Sequence, residues 1–155
     1  MRMKYLFTAA MLTFLFAFQS DAQIRVGAGG VLGIAPQGLM QGINVSGVYV
    51  SDGDLDYGAE FTYWLDDNPM MAVDLNVYYL MKIIGADDDI YISPLGGLNL
   101  FRSADFSEGS TSDGGVAFNL GVSFKKELGD RLLFFEPKVL INGDQDMVIK
   151  AGILF

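Results

Sequence analysis

Seven charged side chains recur at polar positions inside otherwise apolar stretches: Arg25, Glu60, Asp74, Lys125, Glu136, Lys138 and Lys150. Glu60 and Asp74 lie in successive stretches, where their carboxyls could approach one another. Two adjacent carboxyls can divide acid and base work between them. The same two groups can instead neutralise Lys138, Lys150 or Arg25 in a structural network, because an enclosed charge needs an opposite charge. The network is the better reading of this charge set. The chain has no His and no Cys, so the usual general base, the common transition-metal ligands and the thiol nucleophile are missing together. No catalytic, cofactor-binding or metal site is read from it. Asp66-Asp67-Asn68 and Asp87-Asp88-Asp89 lack the spaced order of a dedicated calcium loop and read as solvated turns. Gly27-Ala28-Gly29-Gly30 opens no helix and is no phosphate loop.

The elements that must carry these charges alternate with a period of two. Leu55, Tyr57, Ala59, Phe61 and Tyr63 interleave with Asp56, Gly58, Glu60 and Thr62. Met71 to Met81 and Val116 to Lys125 repeat the pattern, the latter with Val116, Phe118, Leu120, Val122 and Phe124 on one face. Alternation of this kind is the strand signature. Five further stretches read the same way: Ile24–Ala35, Met40–Val50, Ile90–Phe101, Leu132–Ile141 and Met147–Phe155. Turn residues fall between every pair, among them Asp52-Gly53 and Asn142-Gly143. No connection is long enough for a crossover helix, so each strand pairs antiparallel with the next. Strands of this length, roughly 9 to 12 residues, suit a tilted bilayer crossing. An even-numbered meander closes into a barrel and leaves no exposed edge.

The amino-terminal residues read as an export signal. Arg2 and Lys4 precede an apolar run from Tyr5 to Phe18, then Ser20-Asp21-Ala22, which places a cut after Ala22. Residues 1–22 are then a signal peptide and residues 23–155 one barrel domain. The net charge of the whole chain is −9 and the signal carries +1, from Arg2, Lys4 and Asp21, leaving about −10. Such acidity argues against nucleic acid and against a polybasic lipid-binding surface.

Two architectures share this pattern. A soluble lipocalin-like barrel, secreted or periplasmic and binding a small apolar ligand, would turn its apolar face inward. A membrane barrel turns that face to lipid and its polar set to the lumen. Small inward candidates such as Gly58, Gly97, Gly121 and Ser123 suit a narrow interior and favour the membrane form. With both ends on the periplasmic side, Tyr49, Tyr57, Tyr79, Phe124 and Phe155 form an interfacial girdle. The longest connection, Arg102–Gly115, falls on the outer side. Its Arg102, Phe106 and Glu108 are the candidate recognition residues. Inward charges in an interior only wide enough for side chains predict a plugged lumen.

Taken together, the signal, the alternating strands, the inward charges and the terminal Phe155 resemble small outer-membrane barrels of the OmpA/OmpX transmembrane type. Phe134-Phe135-Glu136-Pro137-Lys138-Val139, with Ile149-Lys150-Ala151-Gly152-Ile153-Leu154-Phe155, is similar to the final hairpin of porin-like β-barrels of Gram-negative envelopes. The resemblance implies an all-β, eight-stranded antiparallel up-and-down transmembrane barrel in the outer membrane. Its implied partners are outer-membrane lipid and the barrel-insertion machinery, the latter reading the last strand and Phe155. The implied roles range from structural support to adhesion, although short outer loops argue against adhesion, and the lack of His and Cys makes the expected role non-enzymatic. Enzymes of similar strand pattern rely on a histidine, which is absent here.

Overall fold

The computed structural model describes residues 24–36, 38–65, 70–82, 90–103, 114–142 and 145–155. The proposed signal peptide, both acidic clusters, Phe106 and Glu108 lie outside them. Alternation becomes strand throughout: β1 (Ile24–Ala35), β2 (Gly38–Tyr49), β3 (Leu55–Trp64), β4 (Met70–Tyr79), β5 (Met81–Lys82), β6 (Ile90–Ser103), β7 (Gly114–Leu128), β8 (Arg131–Ile141) and β9 (Gln145–Leu154). Each of the long strands pairs antiparallel with its successor, and β1 pairs antiparallel with β9, from Gly27↔Leu154 to Ile34↔Met147. The sheet therefore closes. β4 and β5 both pair with β6 and act as one stave, so nine strand segments make an eight-stranded barrel.

The break between β4 and β5 has a local cause. Pairing of β4 with β6 stops at Tyr78↔Leu95 and resumes in β5 at Met81↔Ile92, with Pro94 in the gap. Proline carries no N–H to give the ladder. Leu80 instead donates its N–H to the Asp54 carbonyl at 2.7 Å. A second interruption, between Gly121↔Lys138 and Phe124↔Phe135, contains Pro137. The tight turn between β7 and β8 uses Gly129 at φ 66°, a left-handed conformation natural to glycine.

Arg102 is not a loop residue. It belongs to β6 and pairs with Gly114, as Phe101 does with Gly115, so the connection begins later than the residue pattern predicts. Its side chain is exposed.

The outer face is apolar and exposed, as at Ile43 (55%), Leu75 (48%) and Leu120 (56%). This outcome rules against the soluble alternative, which needs those residues inside: so much contiguous apolar surface is unfit for water and fit for lipid. Tyr49, Tyr57, Tyr79 and Phe124 are outward near the end where β1 begins and β9 finishes. Phe155 joins them just past β9, its N–H bonded to the Val26 carbonyl at 2.8 Å and its ring 5.4 Å from the Arg131 guanidinium.

Inside, two small apolar clusters flank a polar middle. Val48, Leu132, Phe134 and Leu154 pack near the end where β1 begins and β9 finishes. Val31, Trp64 and Val148 pack near the opposite end, with Met40, Met70 and Leu140 against them.

Candidate functional site: a charged layer across the lumen

Strand register brings the charges to one level. Glu60 stands directly opposite Asp74 across β3 and β4, Asp74 opposite Asn99 across β4 and β6, and Glu136 opposite Lys150 across β8 and β9. Each projects inward because it shares strand parity with its small or polar neighbours. Glycine makes the space: a Cβ on Gly121 would lie 2.6 Å from the Cβ of Lys138, its partner across β7 and β8. Gly152 is similar, since a Cβ there would lie 2.8 Å from the Phe134 ring.

Lys150 joins the two carboxylates. Its Nζ donates to Glu60 Oε2 and, at 2.7 Å, to Asp74 Oδ2. Lys138 Nζ lies 3.0 Å from Asp74 Oδ2. The other oxygens are engaged as well. Asn76 Nδ2 and the Tyr78 hydroxyl both donate to Glu60 Oε1 at 2.8 Å, and Asn44 Nδ2 donates to Glu60 Oε2 at 3.2 Å. Asn99 and Asn119 donate to Asp74 Oδ1 at 2.7 and 2.9 Å. Every oxygen of the Glu60–Asp74 pair thus has at least two polar partners, the arrangement that makes buried ions tolerable. Such a pair holds charge in place and leaves neither carboxylate a vacant side for a substrate proton.

The remaining predicted residues divide. Glu136 joins the layer by burial and register, although its Oε1 has no hydrogen-bond partner. Lys125 belongs nearer the terminal end, 3.7 Å from Asp56 Oδ2 and 4.6 Å above the Tyr78 ring centroid, a cation–π contact. Arg25 is only half-buried and lines the mouth there with Asp56, Lys125 and Glu127. It is not part of the central layer. Asp56 was the missed charge: it shares the parity of Glu60, so the alternation itself carries the signal for its inward position. Asn44 and Asn99, which lie in stretches of noisier alternation, were missed too.

The layer divides the lumen. A cavity of about 240 Å³ toward the end opposite the start of β1, the outward cavity, is lined by Trp64, Met70 and Phe101 and reaches Asp74, Lys138 and Lys150. One of about 110 Å³ on the terminal side reaches Lys125 and Asp56. Between them, beside Glu60 and Glu136, the space is about 10 Å³, roughly the room for one water. Among the described residues, no group of three or more acidic, His or Cys side chains could hold a metal ion. No described helix is long and apolar enough to cross a membrane, which says nothing of strands.

The closed barrel with an apolar exterior and an ionic interior defines the class: an eight-stranded β-barrel of the outer-membrane kind. Solved structures of that kind are similar in fold. The N-terminal β-barrel domain of Pseudomonas aeruginosa OprF matches with a TM-score of 0.65 and 14% identity, over 87% of this chain and 98% of that one. Ail, the attachment invasion locus protein of Yersinia pestis, gives 0.61 and 11%, over 84% and 95%. The outer membrane enzyme PagL gives 0.55 and 14%, over 83% and 97%. No family model matches the sequence, and no curated protein does. A fold shared by an attachment protein and an enzyme leaves the role to be argued from the site.

Proposed function

We propose that this chain is a non-enzymatic outer-membrane barrel with a structural or surface-interaction role, exported through a cleaved signal in residues 1–22. The observation that carries the proposal is the double saturation of Glu60 and Asp74 by Lys150, Lys138 and amide donors, inside a wall whose outer face is apolar. A reacting carboxylate needs a free lone pair and an approach path for substrate, and these two have partners on every oxygen. The absence of His and Cys removes the usual imidazole base and the thiol nucleophile. The narrow space between the two cavities supports a plugged lumen over an open diffusion pore.

Its partners are outer-membrane lipid around the belt and the barrel-insertion machinery at the last strand, with Phe155 as the assembly signal. Any surface partner would meet the connection after Arg102, including Phe106 and Glu108. The test is fractionation. The mature chain should pellet with outer membranes, need detergent for extraction and shift its gel mobility on boiling. A mature chain that stays monomeric and soluble without detergent would contradict the proposal. Removing Phe155 should impair assembly far more than shortening the connection between β6 and β7.

A further inference from the structure

The outward cavity has features that a plug does not require. Its walls carry Trp64 and Phe101 with the thioethers of Met40 and Met70, and its floor includes Asn99 and Lys138. Aromatic rings and methionine sulfur favour an aromatic guest. Its volume of about 240 Å³ exceeds that of an apolar cavity able to take benzene, about 150 Å³. One ring with a short polar head fits.

The floor specifies the head. Lys138 Nζ and Asn99 Oδ1 are buried without a hydrogen-bond partner, and their side chains are 2% and 4% exposed. Lys138 does have an ion-pair partner in Asp74, so its charge is compensated while its hydrogen-bonding capacity is not. One unmet donor and one unmet acceptor at the end of an apolar cavity call for a head that both accepts and donates. The head's charge follows from the layer below. In that layer three buried carboxylates, Glu60, Asp74 and Glu136, stand against two buried lysines, Lys138 and Lys150. An anionic head would add to the acidic surplus. A cationic head would stand beside Lys138 and Lys150, both already committed to Asp74.

We propose that the outward cavity binds a small neutral aromatic molecule with a primary amide, or a head of the same donor–acceptor character, its ring against Trp64 and Phe101 and its head at Lys138 and Asn99. This goes beyond the barrel's proposed structural role and does not depend on which surface partner the barrel meets.

Trp64 is the single tryptophan of the chain, so its emission reports on this cavity. The full exported chain, purified in detergent and shown to be folded by its mobility shift on boiling, is titrated with 4-bromobenzamide, whose bromine quenches tryptophan at contact. Quenching should saturate, and 4-bromobenzoate, which has no N–H for Asn99 Oδ1 and adds negative charge, should bind at least about tenfold more weakly, the scale of leaving one buried acceptor unmet. Ala72, 4% exposed, also lines the cavity, and Ala72→Leu should weaken the amide by a similar factor. A Trp64→Phe, Leu75→Trp variant moves the reporter to the outer face and should show only unsaturating quenching from probe dissolved in the micelle. Unsaturating quenching of Trp64 with that same slope would overturn the proposal, as would equal binding of amide and benzoate. Both comparisons stand even if Ala72→Leu fails to fold, because neither uses it.

Discussion

Along β4, Val73, Leu75 and Val77 face outward at 39%, 48% and 41% exposure, while Ala72, Asp74, Asn76 and Tyr78 between them are at most 4% exposed. One residue of spacing separates a side chain made for hydrocarbon from one bound into an ionic network. The two faces are also held to different standards. The outer face asks only for apolar bulk, and its residues can be exchanged for one another. The inner face asks for particular partners, since each buried ion depends on its neighbours for compensation. The same chemical change should therefore have different consequences at adjacent positions.

The largest effect is expected at the hub of the inner face. Lys150→Met leaves Glu60 and Asp74 opposite one another with one cation fewer, and removing one partner of a buried pair typically costs about 3–5 kcal/mol. Equilibrium unfolding in urea from lipid vesicles, read by gel mobility, should show that loss. The triple change Lys150→Met, Glu60→Gln, Asp74→Asn should recover part of it, and a triple variant no better than the single one would break the network account.

Next comes the outer face. Leu75→Arg places a charge beside the level of Asp74, where it should cost about 2–4 kcal/mol, against about 0–1 kcal/mol for Leu39→Arg near the rim. Equal effects at the two depths would remove the lipid belt from the account. Gly121→Ala is expected to cost about 1–3 kcal/mol by overpacking, because the new Cβ would meet the Pro137 carbonyl and Lys138. The same change at Gly47, which has open space within 4 Å of a built Cβ, should be almost neutral. The smallest effect should be a gain. Pro137→Val restores an N–H where the β7–β8 ladder is interrupted and should stabilise by about 0.5–1.5 kcal/mol in the same unfolding assay.

Much of the barrel was legible because strand parity is a local property. Leu55 to Tyr63 and Val116 to Lys125 announce their faces within a few residues, and short turns leave only antiparallel neighbours. The inward positions of Glu60, Asp74, Glu136, Lys138 and Lys150 follow from the same parity. Their pairing does not. That Lys150 bridges Glu60 and Asp74, 90 and 76 residues away in sequence, depends on closure and register around the whole barrel. Arg25 shares their charge but sits at the mouth, a matter of height that alternation does not encode. Trp64 was hidden for another reason. It shares the inward parity of Glu60 and Thr62 but lies one residue past the alternating run Leu55–Tyr63, where a bulky apolar side chain gives no sign that it faces the lumen. The outward cavity, assembled from several strands, depends like the ion pairs on closure and register.

Brominated acyl chains test directly which face of the wall meets lipid. The unaltered protein in vesicles of brominated phospholipid should keep nearly all of its Trp64 emission, because Trp64 is 4% exposed inside the barrel. The Trp64→Phe, Leu75→Trp variant should be strongly quenched in the same vesicles. Strong quenching of Trp64 together with a protected tryptophan at position 75 would invert the two faces and contradict the account.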